Sequence, residues 1–90
     1  MANGTLNGIR LPEICALRTY RVGEFMHTTF RVLESQVGGL EEVLRLDAPV
    51  VFILNSQPIE GRIVHYTADL HHGYEITIES LAPDQIDYDP

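Results

Sequence analysis

The hydrophobic and polar positions of this chain change rhythm several times, and the clearest rhythm is two. Tyr74, Ile76 and Ile78 alternate with Glu75, Thr77 and Glu79, the period of a strand with its apolar set on the core and its polar set in water. Just upstream, Ile59, Gly61, Ile63 and His65 alternate with Glu60, Arg62, Val64 and Tyr66, which predicts a second strand with the first set sharing one face. Val50-Val51-Phe52-Ile53-Leu54 is a β-branched and aromatic run without a breaker, the mark of a buried strand. Asn55-Ser56-Gln57-Pro58 reads as the turn between these two, because Asn and Ser bond locally and Pro fixes its own φ. Thr67 to Gly73 reads as a polar link. Three consecutive strands with short links predict an antiparallel meander.

The first half is less regular. Phe25 to Glu34 holds Phe25, Thr28, Thr29, Phe30 and Val32, residue types that suit a pleated surface. Gly38-Gly39 then breaks the chain. Leu40, Val43 and Leu44 have helical spacing with Glu41 and Glu42 outward, although Leu40 to Leu46 is short for a helix and a strand crossing a barrel is the alternative. Further upstream, Leu11-Pro12-Glu13 suits the opening of a short helix, with Ile14, Cys15 and Leu17 as its apolar side. The alternation of Leu17, Thr19 and Arg21 with Arg18, Tyr20 and Val22 suits a strand equally, and both readings stay open over 12–22. Asn3, Gly4, Asn7 and Gly8 make residues 1–9 a flexible, turn-rich N-terminal arm. Residues 82–90, with Pro83, Asp84, Asp87, Asp89 and Pro90, form an acidic tail in which Ile86 and Tyr88 are the anchors. Four to six short strands in 90 residues cannot cover both faces as an open sheet. The expected fold is therefore mainly β, a single domain over 1–90 built as a small antiparallel β-barrel with at most one or two short helices.

Charge narrows the class of partner. The formal net charge is −7, from 13 acids against 6 bases, and every base is an arginine. Phosphate backbones are bound largely through Lys and Arg, so this balance argues against DNA and RNA, and likewise against anionic membrane surfaces. Protein partners or a homo-oligomer remain, and either would help a chain this short, which buries only roughly 60% of its unfolded surface. No apolar stretch approaches the ~20 residues that cross a bilayer, so no membrane insertion is expected. A lone cysteine, Cys15, forms no internal disulfide, which points to a reducing, cytoplasmic compartment.

Candidate chemistry is sparse. The four histidines, His27, His65, His71 and His72, have no recognised ligand spacing among themselves or with Cys15, whereas structural zinc needs four nitrogen or sulfur ligands. Cys15 lies in an apolar stretch, which favours an inert buried thiol. No base is evident for Ser35, and Glu41-Glu42 would diverge on a helix or a strand. The expectation is a non-enzyme without metal or cofactor. Gly38-Gly39 would let a backbone approach a phosphate, or simply make a turn with positive φ. Arg18 and Arg21 are forks that suit phosphate, or partners for some of the many acids.

Two resemblances bear on these residues. Ser35-Gln36-Val37-Gly38-Gly39-Leu40, then Val50 to Leu54, then Ile59-Glu60-Gly61-Arg62-Ile63-Val64, then Gly73 to Glu79 resemble the order of the PilZ family over about half the chain. That family is a small bacterial β-barrel whose binding members capture cyclic di-GMP through an arginine pair with three residues between and an Asp/Asn-x-Ser-x-x-Gly turn. Ser35 and Gly38 match the end of that turn, Leu33 stands at the acid or amide position, and Arg18 and Arg21 have two residues between them. The resemblance implies a degenerate member, a regulator or adaptor linked to cyclic di-GMP signalling, with Arg18, Arg21, Ser35, Gly38 and Gly39 as the nucleotide-binding candidates. Over some fifteen residues, Pro49-Val50, Leu54-Asn55 and Ile59-Glu60-Gly61-Arg62-Ile63 are similar to bacterial Sm-like RNA chaperones, which implies a ring-forming RNA binder. A structural subunit of a larger assembly, such as a phage or sheath component, is the third reading, on the strength of the two terminal segments.

Overall fold

A computed structural model describes residues 2–69 and 71–81; the acidic tail over 82–90 lies outside the described residues. The strands are β1 (Ala2–Leu6), β2 (Ile9–Val22), β3 (Phe25–Val32), β4 (Val50–Leu54), β5 (Gln57–Asp69) and β6 (Gly73–Leu81), with one short helix, α1 (Leu40–Arg45), between β3 and β4. Every strand pair is antiparallel, and the order β1-β2-β3-β6-β5-β4 closes on itself through β1 and β4. The expected small antiparallel barrel is thus the fold. It consists of two three-stranded meanders, β1-β2-β3 and β4-β5-β6, joined along two seams, β3 against β6 and β1 against β4.

The turns explain most of the hairpins. Asn7 and Gly8 both have positive φ, as do Asn55 and Ser56, the geometry of the two-residue type I′ hairpin whose twist matches that of its strands. Gly23 supplies positive φ at the head of the β2–β3 turn. The segment expected as a flexible arm is therefore not one: Asn7-Gly8 is a strong hairpin signal, and Ala2–Leu6 is the strand that completes the barrel, with Leu6 fully buried. Asn7 also ties β1 to β4, since its N–H donates to the Val51 carbonyl at 2.9 Å and its Oδ1 accepts from the Val51 N–H at 2.8 Å.

Residues 12–22 resolve as strand. Pro12 is accommodated because the β1–β2 register slips between Gly4↔Leu11 and Ala2↔Ile14, and a bulge is where a residue without an N–H fits. Glu13 and Ala16 take positive φ at the irregularities. The register shifts again between Cys15 and Arg18 against β3. The second turn also differs from expectation: Gln57 and Pro58 belong to β5, paired with Leu54 and Ile53, so the turn is Asn55-Ser56 alone. Thr67 to Asp69 likewise extend β5 rather than forming a loop.

Inside the barrel, Leu6, Leu11, Ile14, Phe30, Val32, Val50, Phe52, Leu54, Tyr74, Ile76 and Ile78 meet Leu40, Val43 and Leu44 from α1, which caps one end. Phe30 and Phe52 stack at 4.3 Å, nearly parallel. Two facings differ from the alternation expected. A bulge between Ile63 and His65 reverses the pleat of β5, so Tyr66 packs on the core and His65 points out opposite Thr77. Thr77 is buried despite lying on the outer face, because it pairs with Thr29 and their hydroxyls lie 2.9 Å apart. In β4, Val50, Phe52 and Leu54 are buried while Val51 and Ile53 are exposed, so this strand alternates instead of being buried on both sides.

Two glycines are required by close approach. A Cβ on Gly61 would overlap the Glu79 carbonyl oxygen. One on Gly73, whose φ is +79°, would overlap the Val32 carbonyl oxygen. Among the described residues, no helix is long and apolar enough to cross a membrane.

Candidate functional site

The loop from Leu33 to Gly39 leaves β3 and enters α1 at one end of the barrel. Gly39, in the left-handed region, is the residue before the helix. The Leu40 N–H donates to the Val37 carbonyl at 3.1 Å, and the Val37 N–H reaches the Tyr74 hydroxyl at 3.5 Å. Tyr74 is buried on β6, so it anchors the loop from within. On one side of this loop lies a cavity of about 630 Å³ touched by Ser35, Gly38, Gly39, Glu41, Glu42 and Arg45. On the other side lies one of about 370 Å³ touched by Asn3, Arg10, Pro12, Glu34 and Gln36. Ser35, Gly38 and Gly39 therefore do share one rim.

Arg18 and Arg21 are elsewhere. Both sit on the far half of β2, where Arg18 pairs with Thr29 and Arg21 with Met26. Six strand positions separate Met26 from Val32, about 20 Å at the usual rise per residue, so the arginine pair and the Ser35–Gly39 rim lie at opposite ends of the barrel. The two arginines also sit on opposite faces of the hairpin, since they are three positions apart in a strand of period two. Arg21 donates through Nε to the Gly23 carbonyl at 3.0 Å. The rim itself carries Glu34, Glu41 and Glu42 against Arg10 and Arg45, and Arg45 is 3.6 Å from Glu41. The two cavities together therefore carry one more acid than base, a balance that does not favour an anion electrostatically.

The histidines and the thiol are also dispersed. His27 lies 3.0 Å from Glu79 across the β3–β6 seam, with Tyr20 beside it. His65 is on the outer face of β5. His71 and His72 sit in the β5–β6 turn, where the Asp69 carboxylate accepts from the His71 N–H at 2.7 Å and lies 3.1 Å from His72 Nδ1. The His71 N–H, and then His72, hold the Asp69 carboxyl below its ordinary value of 3.8. No cluster of three or more His, Cys, Asp or Glu side chains suited to a metal ion occurs among the described residues. Cys15 is only half-buried, on β2 opposite Arg31, rather than enclosed in the core as its apolar neighbours suggest.

A different feature collects on the outer face at the end of the barrel away from α1. Val22, Phe25 and Leu81 form one cross-strand row, since Val22 pairs with Phe25 and Phe25 with Leu81. They are 45%, 38% and 74% exposed, and Tyr20 in the next row is 46% exposed. Sequence alternation alone did not find this row, because which face a β2 residue takes depends on the bulge between Cys15 and Arg18.

No family model, curated protein or solved structure matches the chain.

Proposed function

We propose that this chain is a non-catalytic adaptor barrel, PilZ-like in the order of its segments, that acts by contact with a protein partner and not through cyclic di-GMP. The observation that carries the reading is the exposed row of Val22, Phe25 and Leu81 beside Tyr20. Scattered apolar side chains on a surface are ordinary, but a contiguous patch of large ones on paired strands marks an interaction surface. Supporting it, the arginine pair and the Ser35–Gly39 rim lie apart, and the rim is rich in carboxylates.

Two measurements test this. Affinity purification of the full chain from its source cells, wild type against Phe25→Glu, is expected to recover a partner that the variant loses at unchanged thermal stability. A partner profile identical for both would refute the reading. Calorimetric titration with cyclic di-GMP is expected to be silent; a saturable heat removed by Arg21→Ala would restore the nucleotide role.

A further inference from the structure

The barrel is closed, yet one strand outruns its neighbour. Pairing between β1 and β2 ends at Ala2↔Ile14, while β2 continues to Val22. From Ala16 to Val22, β2 has β3 on one side and no strand partner on the other among the described residues. Backbone N–H and C=O groups along such an edge are a template for another strand. Natural edges are blunted by shortness, proline, bulges or charged side chains; between Ala16 and Val22 there is no Pro, and after the bulge between Cys15 and Arg18 the charges that an incoming strand must answer are Arg18 and Arg21.

The surroundings of this edge specify what would fit. Arg18 faces outward in the row of Thr29 and is exposed, and its side chain makes no hydrogen bond or ion pair among the described residues. On the inward side, Thr19 borders a depression of about 390 Å³ shared with Met26, Thr28, Ile59 and Ser80. An added strand would thus have one set of side chains beside a guanidinium and the alternate set above a mostly apolar cleft. The exposed row of Val22, Phe25 and Leu81 continues the same surface.

From this geometry we infer that the edge from Ala16 to Val22 accepts an extended segment of a partner protein in which acidic and apolar side chains alternate. Acids lie on the outer face beside Arg18, and apolar side chains cover the cleft lined by Thr19, Met26 and Ile59. The inference rests on the adaptor reading and names the kind of partner. A second copy of β2 is the poorer occupant. Self-pairing would gather Arg18 and Arg21 of both molecules into one short ribbon, and like charges on adjacent strands are destabilising.

Strand addition gives affinity through main-chain bonds and selectivity through alternate side chains, so a generic probe suffices. The test titrates the isotope-labelled full chain with a capped heptapeptide of alternating Glu and Val, and with its counterpart carrying Lys for Glu, followed by backbone amide shifts and amide exchange. The expected result is slowed exchange along Ala16–Val22, with shifts there and at the cleft residues Met26 and Ile59, for the Glu peptide, and neither for the Lys peptide. Arg18→Glu is expected to weaken the Glu peptide about tenfold, on the scale of replacing an attractive cross-strand charge pair by a repulsive one, and to create affinity for the Lys peptide. His71→Glu, in the β5–β6 turn, should leave the titration unchanged. Equal response to both peptides, or shifts at Ser35–Gly39 instead, would overturn the inference. So would slowed exchange at Ala16–Val22 that rises with protein concentration alone, which would identify the occupant as a second copy. If the Glu peptide leaves β2 untouched while Phe25→Glu still loses its partner, the adaptor reading stands and this edge is not its means.

Discussion

Replacing Gly61 by Ala tests a very close approach between two strands of the barrel. Taken by itself, Gly→Ala in a strand reduces the freedom of the unfolded chain and stabilises by roughly 0.4–1 kcal/mol when the backbone tolerates it. Gly61 has no positive φ to forbid a side chain, so local conformation predicts a gain. The cross-strand geometry predicts the opposite. A Cβ there would overlap the Glu79 carbonyl oxygen, with the carbonyl carbon at 2.8 Å and Ile78 Cγ2 at 3.1 Å. Ordinary carbon contacts are about 3.5–4.0 Å, so β5 must move away from β6 by the better part of an ångström. The obstacle is backbone, which cannot rotate aside. Overpacking of this kind costs roughly 1–3 kcal/mol, and here the upper end is expected because the neighbouring pairs Arg62↔Glu79 and Ile63↔Ile78 are disturbed with it. For a domain of this size a loss of about 2–3 kcal/mol lowers Tm by on the order of 10–20 °C. Thermal unfolding followed by far-ultraviolet circular dichroism measures this, with Gly38→Ala as the control, since a Cβ at Gly38 meets open space. A Gly61→Ala protein that melts at or above the wild-type temperature would show that the two strands do not approach so closely, and the pairing of β5 with β6 would have to be redrawn.

Other outcomes follow from the same structure. Leu6→Ala is expected to cost about 2–5 kcal/mol in urea unfolding, the range for a large-to-small change in a core; an unchanged midpoint would mean that the first strand does not close the barrel. Thr77→Val leaves the buried Thr29 hydroxyl without its partner at 2.9 Å and is expected to cost about 1–2 kcal/mol, whereas the double change Thr29→Val with Thr77→Val should recover most of it. Additive losses in the double-mutant cycle would refute the pairing. The Asp69 carboxyl is held below 3.8, first by the His71 N–H and then by His72. Its folded value lies below its unfolded value, so its support of the β5–β6 turn is present above about pH 3.8 and is lost as pH falls through the lower, folded value. Carboxyl chemical shifts followed by NMR check this, and titration at or above 3.8 would contradict it.

Much of the second half was legible because its strands obey a period of two. Tyr74, Ile76 and Ile78 face the core as their alternation implies, and the mainly β barrel follows from too many short strands in too little chain. Where the reading failed, a local irregularity had intervened. His65 and Tyr66 exchange faces because one extra residue at Val64 reverses the pleat, and hydropathy does not register an inserted residue in a run that is apolar on both faces. The first strand was missed for a different reason: Ala2 to Leu6 is too short and too polar to carry a period, and only Asn7-Gly8 betrays it. The candidate nucleotide site assumed that residues resembling one motif lie near one another. Ser35, Gly38 and Gly39 do, because one loop holds them, but the length of β2 carries Arg18 and Arg21 to the other end, and residues 12–22 suit a helix and a strand equally by pattern alone. Thr77 looked solvated by alternation and is not, because burial on an outer face depends on cross-strand neighbours.

The two meanders have matching proportions: strands of 5, 14 and 8 residues in one, and 5, 13 and 9 in the other. Each long middle strand is interrupted by a bulge. Their seams pair the equivalent strands antiparallel, so the barrel has the plan of a two-fold dimer written into one chain. A fragment with a single meander would present both of its seam strands to an identical copy in the geometry the other half now occupies. The same plan makes the crossover through α1 the hinge at which two whole molecules could exchange halves, each rebuilding the barrel with the other's strands.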